Sequence, residues 1–215
     1  MKALNSTNKM TNPPIDRYQK RYILHQDRKR RMIDGEIENG SQVEHDPMAF
    51  MQLVQSRVSQ RIFNGERIGE DALDFIKEAI VNTPSSCNRQ AVQVRLVRNT
   101  EDKERLEELL VGGSKWISKA DVIILLLADM EAYKSPAEVN FMPYLDAGFI
   151  GMSIYYAVEA LGLGTCFVNP NIREENKETF DKIFNKEGLR MCGAIALGHY
   201  DKRAYKIKKS DQIFI

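Results

Sequence analysis

The sequence predicts one layered domain of the α+β or α/β class, in which helices cover a central β-sheet. After about residue 47, segments with helical spacing of apolar residues are interleaved with short apolar segments typical of strands. One of these, Asp121–Ala128 (DVIILLLA), is continuously apolar and predicts a strand buried on both faces. With 43% hydrophobic residues, this chain of 215 residues can bury a substantial core.

Residues 1–47 are predicted to form a polar, basic N-terminal arm. The segment Asp16–Arg31 (DRYQKRYILHQDRKRR) is rich in Lys and Arg, with Tyr18, Tyr22 and Ile23 among its few apolar residues. It is either an arm that binds RNA or phosphate, or a helix or extended arm packed on the body or on a partner subunit. We favour packing, because the rest of the chain cancels this charge and contains no nucleic-acid-binding motif.

The first half of the body is predicted to contain three helices and one strand before Asp121. Met48–Ser56 and Asp71–Val81 are amphipathic at helical spacing, and the acidic start of the second suits a helix N-terminus. Gln90–Val97 (QAVQVRLV) alternates between polar and apolar residues, as a strand does. Asp102–Leu110 is a charged helix that two glycines follow.

The second half begins with a long, mostly apolar helix, Tyr144–Leu161. Its small residues permit another helix to approach closely, either at a subunit interface or in the core. A strand over Gly164–Val168, a helix over Glu174–Phe184 and a core strand over Met191–Leu197 follow. Beyond a basic tail, Gln212–Ile215 resembles a strand.

Composition argues against several classes of protein. A net charge of +1 gives no overall electrostatic case for binding nucleic acid or a membrane. The three cysteines form no CxxC pair, and Cys166 and Cys192 lie in apolar runs that predict buried thiols in a reducing compartment. The N-terminus has no apolar signal-peptide core, and no apolar run approaches the roughly 18 residues of a membrane span. We therefore expect a cytoplasmic protein without a membrane partner.

Several familiar catalytic motifs are absent from the sequence. Gly162-Leu163-Gly164 begins a GxGxxG pattern, but Phe167 stands where the third glycine is required, so no dinucleotide fingerprint is formed. No P-loop, GxSxG or HExxH motif occurs. The three histidines are isolated from one another, and no metal site is predicted.

Four clusters remain as candidates for ligand binding. Arg57–Arg61 (RVSQR) offers two guanidinium groups and a hydroxyl, which suit a phosphate, although a solvated helix end has the same composition. Thr83–Gln90 offers backbone N–H groups, hydroxyls and an amide to a planar heterocycle, or is an ordinary polar loop. Gly162–Pro170 is a short strand that ends in a turn, and Lys202–Lys209 is a basic tail.

In order and spacing, these clusters resemble the FMN-dependent nitroreductase family, which includes the iodotyrosine deiodinases. The segments that carry the resemblance are RVSQR, PSSCNRQ, KWISKADVIILL, EALGLGTCF and ALGHY, between about Phe50 and the C-terminus. The resemblance implies an α+β, three-layer fold with a central, mostly antiparallel sheet flanked by helices, assembled as a homodimer. It divides the chain into the arm, residues 1–47, and an FMN-binding domain, residues 48–215.

The resemblance also implies which residues bind FMN at the subunit interface. The residues implied for the phosphate and ribityl chain are Arg57, Val58 (through its backbone), Ser59, Arg61, Lys206 and Lys208. The residues implied to reach or support the flavin from the other subunit are Pro84, Ser85, Ser86 and Asn88. Those implied beside the flavin ring are Lys115, near its pyrimidine side, and Val168 and Asn169, near N5.

By resemblance, the activity is hydride transfer from NAD(P)H through flavin N5 to a small acceptor such as a nitroaromatic compound or a quinone. The two substrates would use the same open face in turn, in a ping-pong mechanism, so no catalytic acid or base is named. The alternatives are a specialised flavin reaction on the same fold (dehalogenation, dehydrogenation or flavin fragmentation) and a non-catalytic protein that binds flavin or nucleic acid.

The segment Asp129–Pro143 (DMEAYKSPAEVNFMP), called the excursion below, is either a cover over the substrate or a plain surface loop. As a cover, it would line the substrate site with Tyr133, Phe141 and Met142. The deiodinases carry a longer lid between the residues matching Thr100 and Lys115, and its absence here argues against iodotyrosine as substrate.

Overall fold

The structure is a computed structural model that describes residues 17–34, 45–185 and 187–206. Lys208, the segment Gln212–Ile215 and the side chains of Tyr18 and Tyr22 lie outside this description. The helices are α1 (Arg17–Ile33), α2 (Pro47–Ser56), α3 (Glu70–Val81), α4 (Thr100–Leu109), α5 (Met142–Ala160) and α6 (Glu174–Phe184). The strands are β1 (Val92–Val97), β2 (Val122–Ala128), β3 (Gly164–Val168) and β4 (Arg190–Gly198).

The four strands form one antiparallel sheet in the order β1-β2-β4-β3. Helices α3 and α5 cover one face and α4 and α6 the other, and each face has its own apolar core. Alternate residues of β2 point into the two cores, which explains why the sequence of this strand is apolar throughout. The predicted α+β class, the layered arrangement and the antiparallel sheet are confirmed.

The predicted element boundaries shift where special backbone conformations intervene. Strand β1 begins at Val92 rather than at Gln90, because Gln90 has a φ of +52° and cannot continue a strand. Helix α5 begins at Met142 rather than at Tyr144, because Pro143 occupies an early position where a missing N–H costs nothing.

The part of the arm that the structure describes includes a helix that contacts the body. One guanidinium nitrogen of Arg21 in α1 donates to the carbonyl oxygens of Arg89 (3.1 Å) and Gln90 (3.4 Å). The second half of α1 exposes its basic side chains to solvent. No helix formed by the described residues combines the length and apolar character that crossing a bilayer requires.

A cluster of charged side chains holds the segment that precedes α3 against the sheet. Arg98, just after β1, pairs with Asp121, just before β2, at 2.8 Å. The same oxygen of Asp121 accepts the backbone N–H of Ile68 at 2.9 Å. Arg98 also pairs with Glu70 at 2.6 Å, but the side chain of Glu70 is 68% exposed and that of Asp121 only 11%. The buried partner should therefore contribute most of the stabilisation.

We expect Asp121→Asn to lower the free energy of unfolding by about 2 kcal/mol, because it leaves a half-buried guanidinium group without its counter-charge. The matched control, Glu70→Gln, removes the exposed partner and should cost less than about 1 kcal/mol. Urea unfolding followed by circular dichroism measures both. Equal losses in the two variants would show that burial does not separate these ion pairs.

Candidate functional site

An open cavity of about 680 Å³ lies between α2, α5 and the C-terminal tail. Arg57, Tyr155 and Lys206 line it, together with apolar and uncharged residues of the two helices. None of the described residues that line it is acidic. The cavity is therefore electropositive and large enough for a bulky anionic group.

Arg57 lies at the C-terminal end of α2, with its guanidinium carbon 5.1 Å from the centroid of the Tyr155 ring. Its Nη1 atom is buried and finds no hydrogen-bond partner among the residues that the structure describes. A buried charged donor without an acceptor costs on the order of 1–3 kcal/mol or more. Such a donor in an electropositive cavity is the arrangement expected where an anion binds.

Lys206 reaches the same cavity from the far end of the chain. Its Nζ donates to the carbonyl oxygens of Val54 (2.9 Å) and Gln55 (2.5 Å) in the last turn of α2. These carbonyls carry the negative end of the helix dipole, which stabilises a cation there. The structure thus brings Arg57 and Lys206 together in one cavity.

The buried side chain of Gln60, 2% exposed, holds this arrangement in place. Its Nε2 donates to the carbonyl oxygens of Ile62 (2.7 Å) and Lys202 (3.1 Å), and its Oε1 accepts the N–H of Ala204 (2.8 Å). The backbone N–H of Gln60 donates to the carbonyl of Thr165 in β3 at 2.9 Å. One residue therefore connects the RVSQR segment, the tail and the sheet.

Gly164 makes this close approach possible. A Cβ atom at Gly164 would come within 2.6 Å of Cγ of Gln60 and 2.9 Å of Cδ1 of Tyr200. The second glycine of the GLG sequence, Gly164, is therefore required because it packs against Gln60. Sequence reasoning missed Gln60, because nothing in the pattern distinguishes a buried glutamine from a solvated one between two arginines.

The other predicted residues of the RVSQR segment are Val58, Ser59 and Arg61, and this part of the segment runs next to β3. Ser59 forms a parallel bridge with Thr165 of β3. Val58 is half-buried, and Arg61 is exposed with its guanidinium carbon 5.9 Å from the centroid of the Trp116 ring. The segment thus runs beside β3 with its two arginines at opposite ends.

Gly112, three residues before Lys115, lies next to the end of β3. A Cβ atom at Gly112 would lie 3.2 Å from Cγ1 of Val168 and 3.4 Å from Oδ1 of Asn169, so the two segments touch. Lys115 is exposed with a φ of +70°, Val168 is buried, and Asn169 is exposed. The loop that leads into Lys115 therefore contacts the end of β3.

Tyr155 was also missed by sequence reasoning, since nothing distinguishes it within an apolar helix. Its hydroxyl accepts the backbone N–H of Phe167 in β3 at 2.9 Å. Burial raises the pKa of Tyr155, and the Phe167 N–H, Arg57 and Arg61 oppose that shift. The neutral hydroxyl therefore ties α5 to the outer edge of β3 beside the cavity.

The segment Pro84–Gln90, called the PSSCNRQ turn below, does not reach this cavity within one chain. The N–H of Ser86 donates to the carboxylate of Asp146 in α5 at 2.8 Å. Asp146 lies roughly 14 Å along the helix axis from Tyr155, since each residue advances about 1.5 Å. In the turn, Pro84 and Asn88 are exposed and Ser85 and Ser86 half-buried.

Tyr133, Phe141 and Met142 of the excursion were expected to line the substrate site, and for Tyr133 the structure differs from this expectation. Tyr133 is buried in the core, and its hydroxyl donates to Asp146 at 2.8 Å. Burial, followed by the hydrogen bond to Asp146, raises its pKa far above the ordinary value. Tyr133 therefore supports the excursion from below, whereas Phe141 is exposed and Met142 packs partly against the core.

Comparison with known proteins adds an independent finding. The model of the nitroreductase family matches residues 54–115 and 109–199, which is more than half of the chain. The chain is 29% identical over 162 residues to an FMN reductase [NAD(P)H] from Bacillus subtilis, with 69% of this chain and 64% of that protein covered. The match thus spans less than two thirds of the Bacillus protein.

Solved structures show the same fold. A nitroreductase-like protein from Streptococcus mutans superimposes with a TM-score of 0.67 at 18% identity, covering 78% of this chain and 97% of that one. A protein assigned as a nitroreductase from Desulfovibrio desulfuricans, solved in complex with FMN, gives 0.66 at 23% identity, covering 80% and 96%. The layered sheet described above is therefore the nitroreductase-like fold.

We expect Gln60→Leu to lower the free energy of unfolding by about 2–4 kcal/mol, because it leaves three backbone groups without their partner. It should also release the tail, so that trypsin cleaves after Lys202 and Arg203 faster than in the wild type. Gln55→Leu, which changes an exposed glutamine of α2, is the control. Unaltered cleavage in Gln60→Leu would show that the tail is held by other contacts.

Proposed function

Because this chain belongs to the nitroreductase family, we propose that it is a cytoplasmic, FMN-dependent oxidoreductase. It takes electrons from NAD(P)H and passes them to a small acceptor, such as a nitroaromatic compound or a quinone, in ping-pong order. The observation that carries the proposal is the buried Nη1 of Arg57, which has no hydrogen-bond partner within the described residues, in a cavity that it shares with Lys206. Three unpaired thiols agree with a reducing compartment.

The residues of the cavity fit the phosphate end of FMN. Arg57 offers the unpartnered donor, and Lys206 adds a second positive charge without a nearby carboxylate in the lining. Ser59 and Arg61 continue along β3, in position for the ribityl chain. Lys208, which the resemblance also implies, lies outside the described residues.

The flavin ring would lie toward the end of β3, beside Lys115, Val168 and Asn169. When bound, FMN supplies the two-electron chemistry of the reaction. A positive charge at Lys115 would favour negative charge on the pyrimidine side of the ring. Buried Val168 excludes water from the strand side, and exposed Asn169 offers its backbone and amide to the ring edge.

We further propose that the site is completed in a homodimer. Helices α2 and α5 expose large apolar side chains, which in a soluble protein mark an interface. They are Met48, Phe50, Met51, Tyr144, Leu145, Phe149 and Met152. On α5 their spacing follows one face of the helix, and Gly148 leaves open space within it. The PSSCNRQ turn, at the other end of α5 from Tyr155, would reach the partner's flavin.

Of the predicted substrate residues Tyr133, Phe141 and Met142, we propose that Phe141 contacts the acceptor, together with the outer surface of the excursion. Phe141 is 48% exposed at the start of α5, next to the proposed interface. Met142 packs partly on the core, and Tyr133 acts only through the hydroxyl that binds Asp146. An exposed aromatic side chain suits a flat, apolar acceptor.

We expect Arg57→Ala to weaken the binding of FMN by about 10- to 100-fold, because a phosphate loses a charged hydrogen-bonding partner. Riboflavin has no phosphate, so its affinity should change by less than about threefold. Quenching of flavin fluorescence on titration measures both dissociation constants.

The control for this experiment is Arg105→Ala. Arg105 is a half-exposed arginine of α4 that pairs with Glu108 at 2.6 Å, on the opposite side of the sheet. It should leave both affinities unchanged. Equal weakening of FMN and riboflavin by Arg57→Ala would show that Arg57 does not bind the phosphate.

We expect Phe149→Glu to convert a wild-type dimer into a monomer, because it places a charge on the apolar face of α5. Ile183→Glu changes an apolar residue of similar exposure, 38% against 47%, on α6 at the other face of the sheet. It should leave the dimer intact. Sedimentation equilibrium gives the masses, and a monomeric wild-type protein would rule out the proposed composite site.

A further inference from the structure

The backbone of the PSSCNRQ turn is strained. Cys87, Asn88 and Gln90 have φ angles of +51°, +51° and +52°. Residues other than glycine rarely adopt this left-handed conformation, and each instance costs on the order of 1 kcal/mol or more. Three such residues within four positions persist only if surrounding contacts hold them.

A buried carboxylate provides the contact at the start of the turn. Asp146 in α5 is 1% exposed, and its Oδ1 accepts the backbone N–H of Ser86 at 2.8 Å. From there the turn closes on itself, since the Ser85 hydroxyl accepts the N–H of Gln90 at 2.9 Å and the Ser85 carbonyl accepts that of Asn88 at 2.9 Å. The bond to Asp146 anchors this closed unit to α5.

The second oxygen of the same carboxylate holds a different segment. Oδ2 of Asp146 accepts the hydroxyl of Tyr133, in the excursion, at 2.8 Å. Asp146 thus accepts one hydrogen bond from the turn and one from the excursion. Because both bonds are to a charged oxygen in a buried site, each should be among the stronger ones in the protein.

Arg89 links the same two segments a second time. It donates to the hydroxyl of Ser86 at 3.1 Å within the turn and pairs with Glu138 of the excursion at 3.2 Å. Its guanidinium carbon lies 5.8 Å from the centroid of the Tyr133 ring. The turn and the excursion are therefore linked twice, once through Asp146 and once through Arg89.

We propose that Asp146 is a positioning residue that holds the PSSCNRQ turn in its strained conformation and couples it to the excursion through Tyr133. This inference rests on the proposed function, in which the turn contacts flavin and the excursion covers the acceptor. In this arrangement Asp146 does not contact the flavin or the acceptor, and it acts on them through Ser86 and Tyr133. The turn and the excursion then respond together when either one is displaced.

The chain offers variants that separate the two bonds. Asp146→Ala removes both acceptors. Asp146→Asn keeps an oxygen for Ser86 and presents an amide donor to the Tyr133 hydroxyl, which can accept as well as donate. Tyr133→Phe removes only the hydrogen bond between Asp146 and the excursion and leaves the Arg89–Glu138 pair. Ser86→Pro removes the N–H donor of the turn together with the hydroxyl that Arg89 contacts, and Ser86→Ala, which removes the hydroxyl alone, is its control.

Hydrogen exchange of the flavin-free protein, measured by mass spectrometry on peptides covering residues 84–91 and 130–141, tests the inference directly. Asp146→Ala should accelerate exchange about tenfold in both peptides, corresponding to the loss of charged hydrogen bonds. Tyr133→Phe should accelerate only the excursion peptide, and Ser86→Pro only the turn peptide. Asp146→Asn should stay within about threefold of the wild type in both.

The second readout is the dissociation constant of FMN. Asp146→Ala should weaken binding about tenfold, and Asp146→Asn should restore it. Leu106→Ala is the control for general destabilisation, because Leu106 is fully buried in the core on the other face of the sheet. It should lower stability without changing either peptide or the FMN affinity.

Two results would overturn the inference: unchanged exchange of the turn peptide in both Asp146→Ala and Ser86→Pro, or equal effects of Leu106→Ala and Asp146→Ala. Failure of the proposed function is distinguishable from both. A wild-type protein that does not bind FMN removes the cofactor, whereas the exchange measurement on flavin-free protein still decides whether Asp146 holds the turn.

Discussion

The candidate site depends on one buried amide, the side chain of Gln60. It bonds to its own segment at Ile62 and to the tail at Lys202 and Ala204, while its backbone bonds to β3. Together with Lys206, and with Arg203, which donates to the carbonyl oxygen of Ser56 at 2.7 Å, these bonds bring the end of α2 to a tail that lies more than a hundred residues later. Gly164 permits the approach, because any side chain there would overlap Gln60. The electropositive cavity is a consequence of this junction.

Helix α5 divides the functional residues into two groups. Near its start, Asp146 holds the PSSCNRQ turn and the excursion, and near its end Tyr155 borders the cavity and binds β3. Because these positions are roughly 14 Å apart along the axis, one chain cannot bring the turn onto its own cavity through this helix. The exposed apolar face between them is the reason for proposing that a second copy brings the complementary half.

The sequence predicted the parts that periodicity and spacing encode. The uninterrupted apolar run of β2 and the helix Glu174–Phe184 were predicted correctly, as was the family resemblance. Tertiary contacts between residues far apart in the sequence could not be predicted from it. Gln60 and Tyr133 illustrate this, since one polar side chain is buried by partners far away in sequence, and the other lies in a polar segment yet packs into the core. The left-handed backbone of the PSSCNRQ turn, after which β1 begins, also contains no glycine that would have indicated it in the sequence.

We propose that these contacts build a site for a redox-active flavin. The most direct measurement is the absorbance spectrum of the purified protein, taken before and after anaerobic addition of NADPH or NADH and then of p-nitrobenzoate or menadione. We expect flavin absorbance bands that bleach when the nicotinamide is added and return when the acceptor is added. A colourless protein that takes up no added FMN, or a bound flavin that neither nicotinamide reduces, would contradict it.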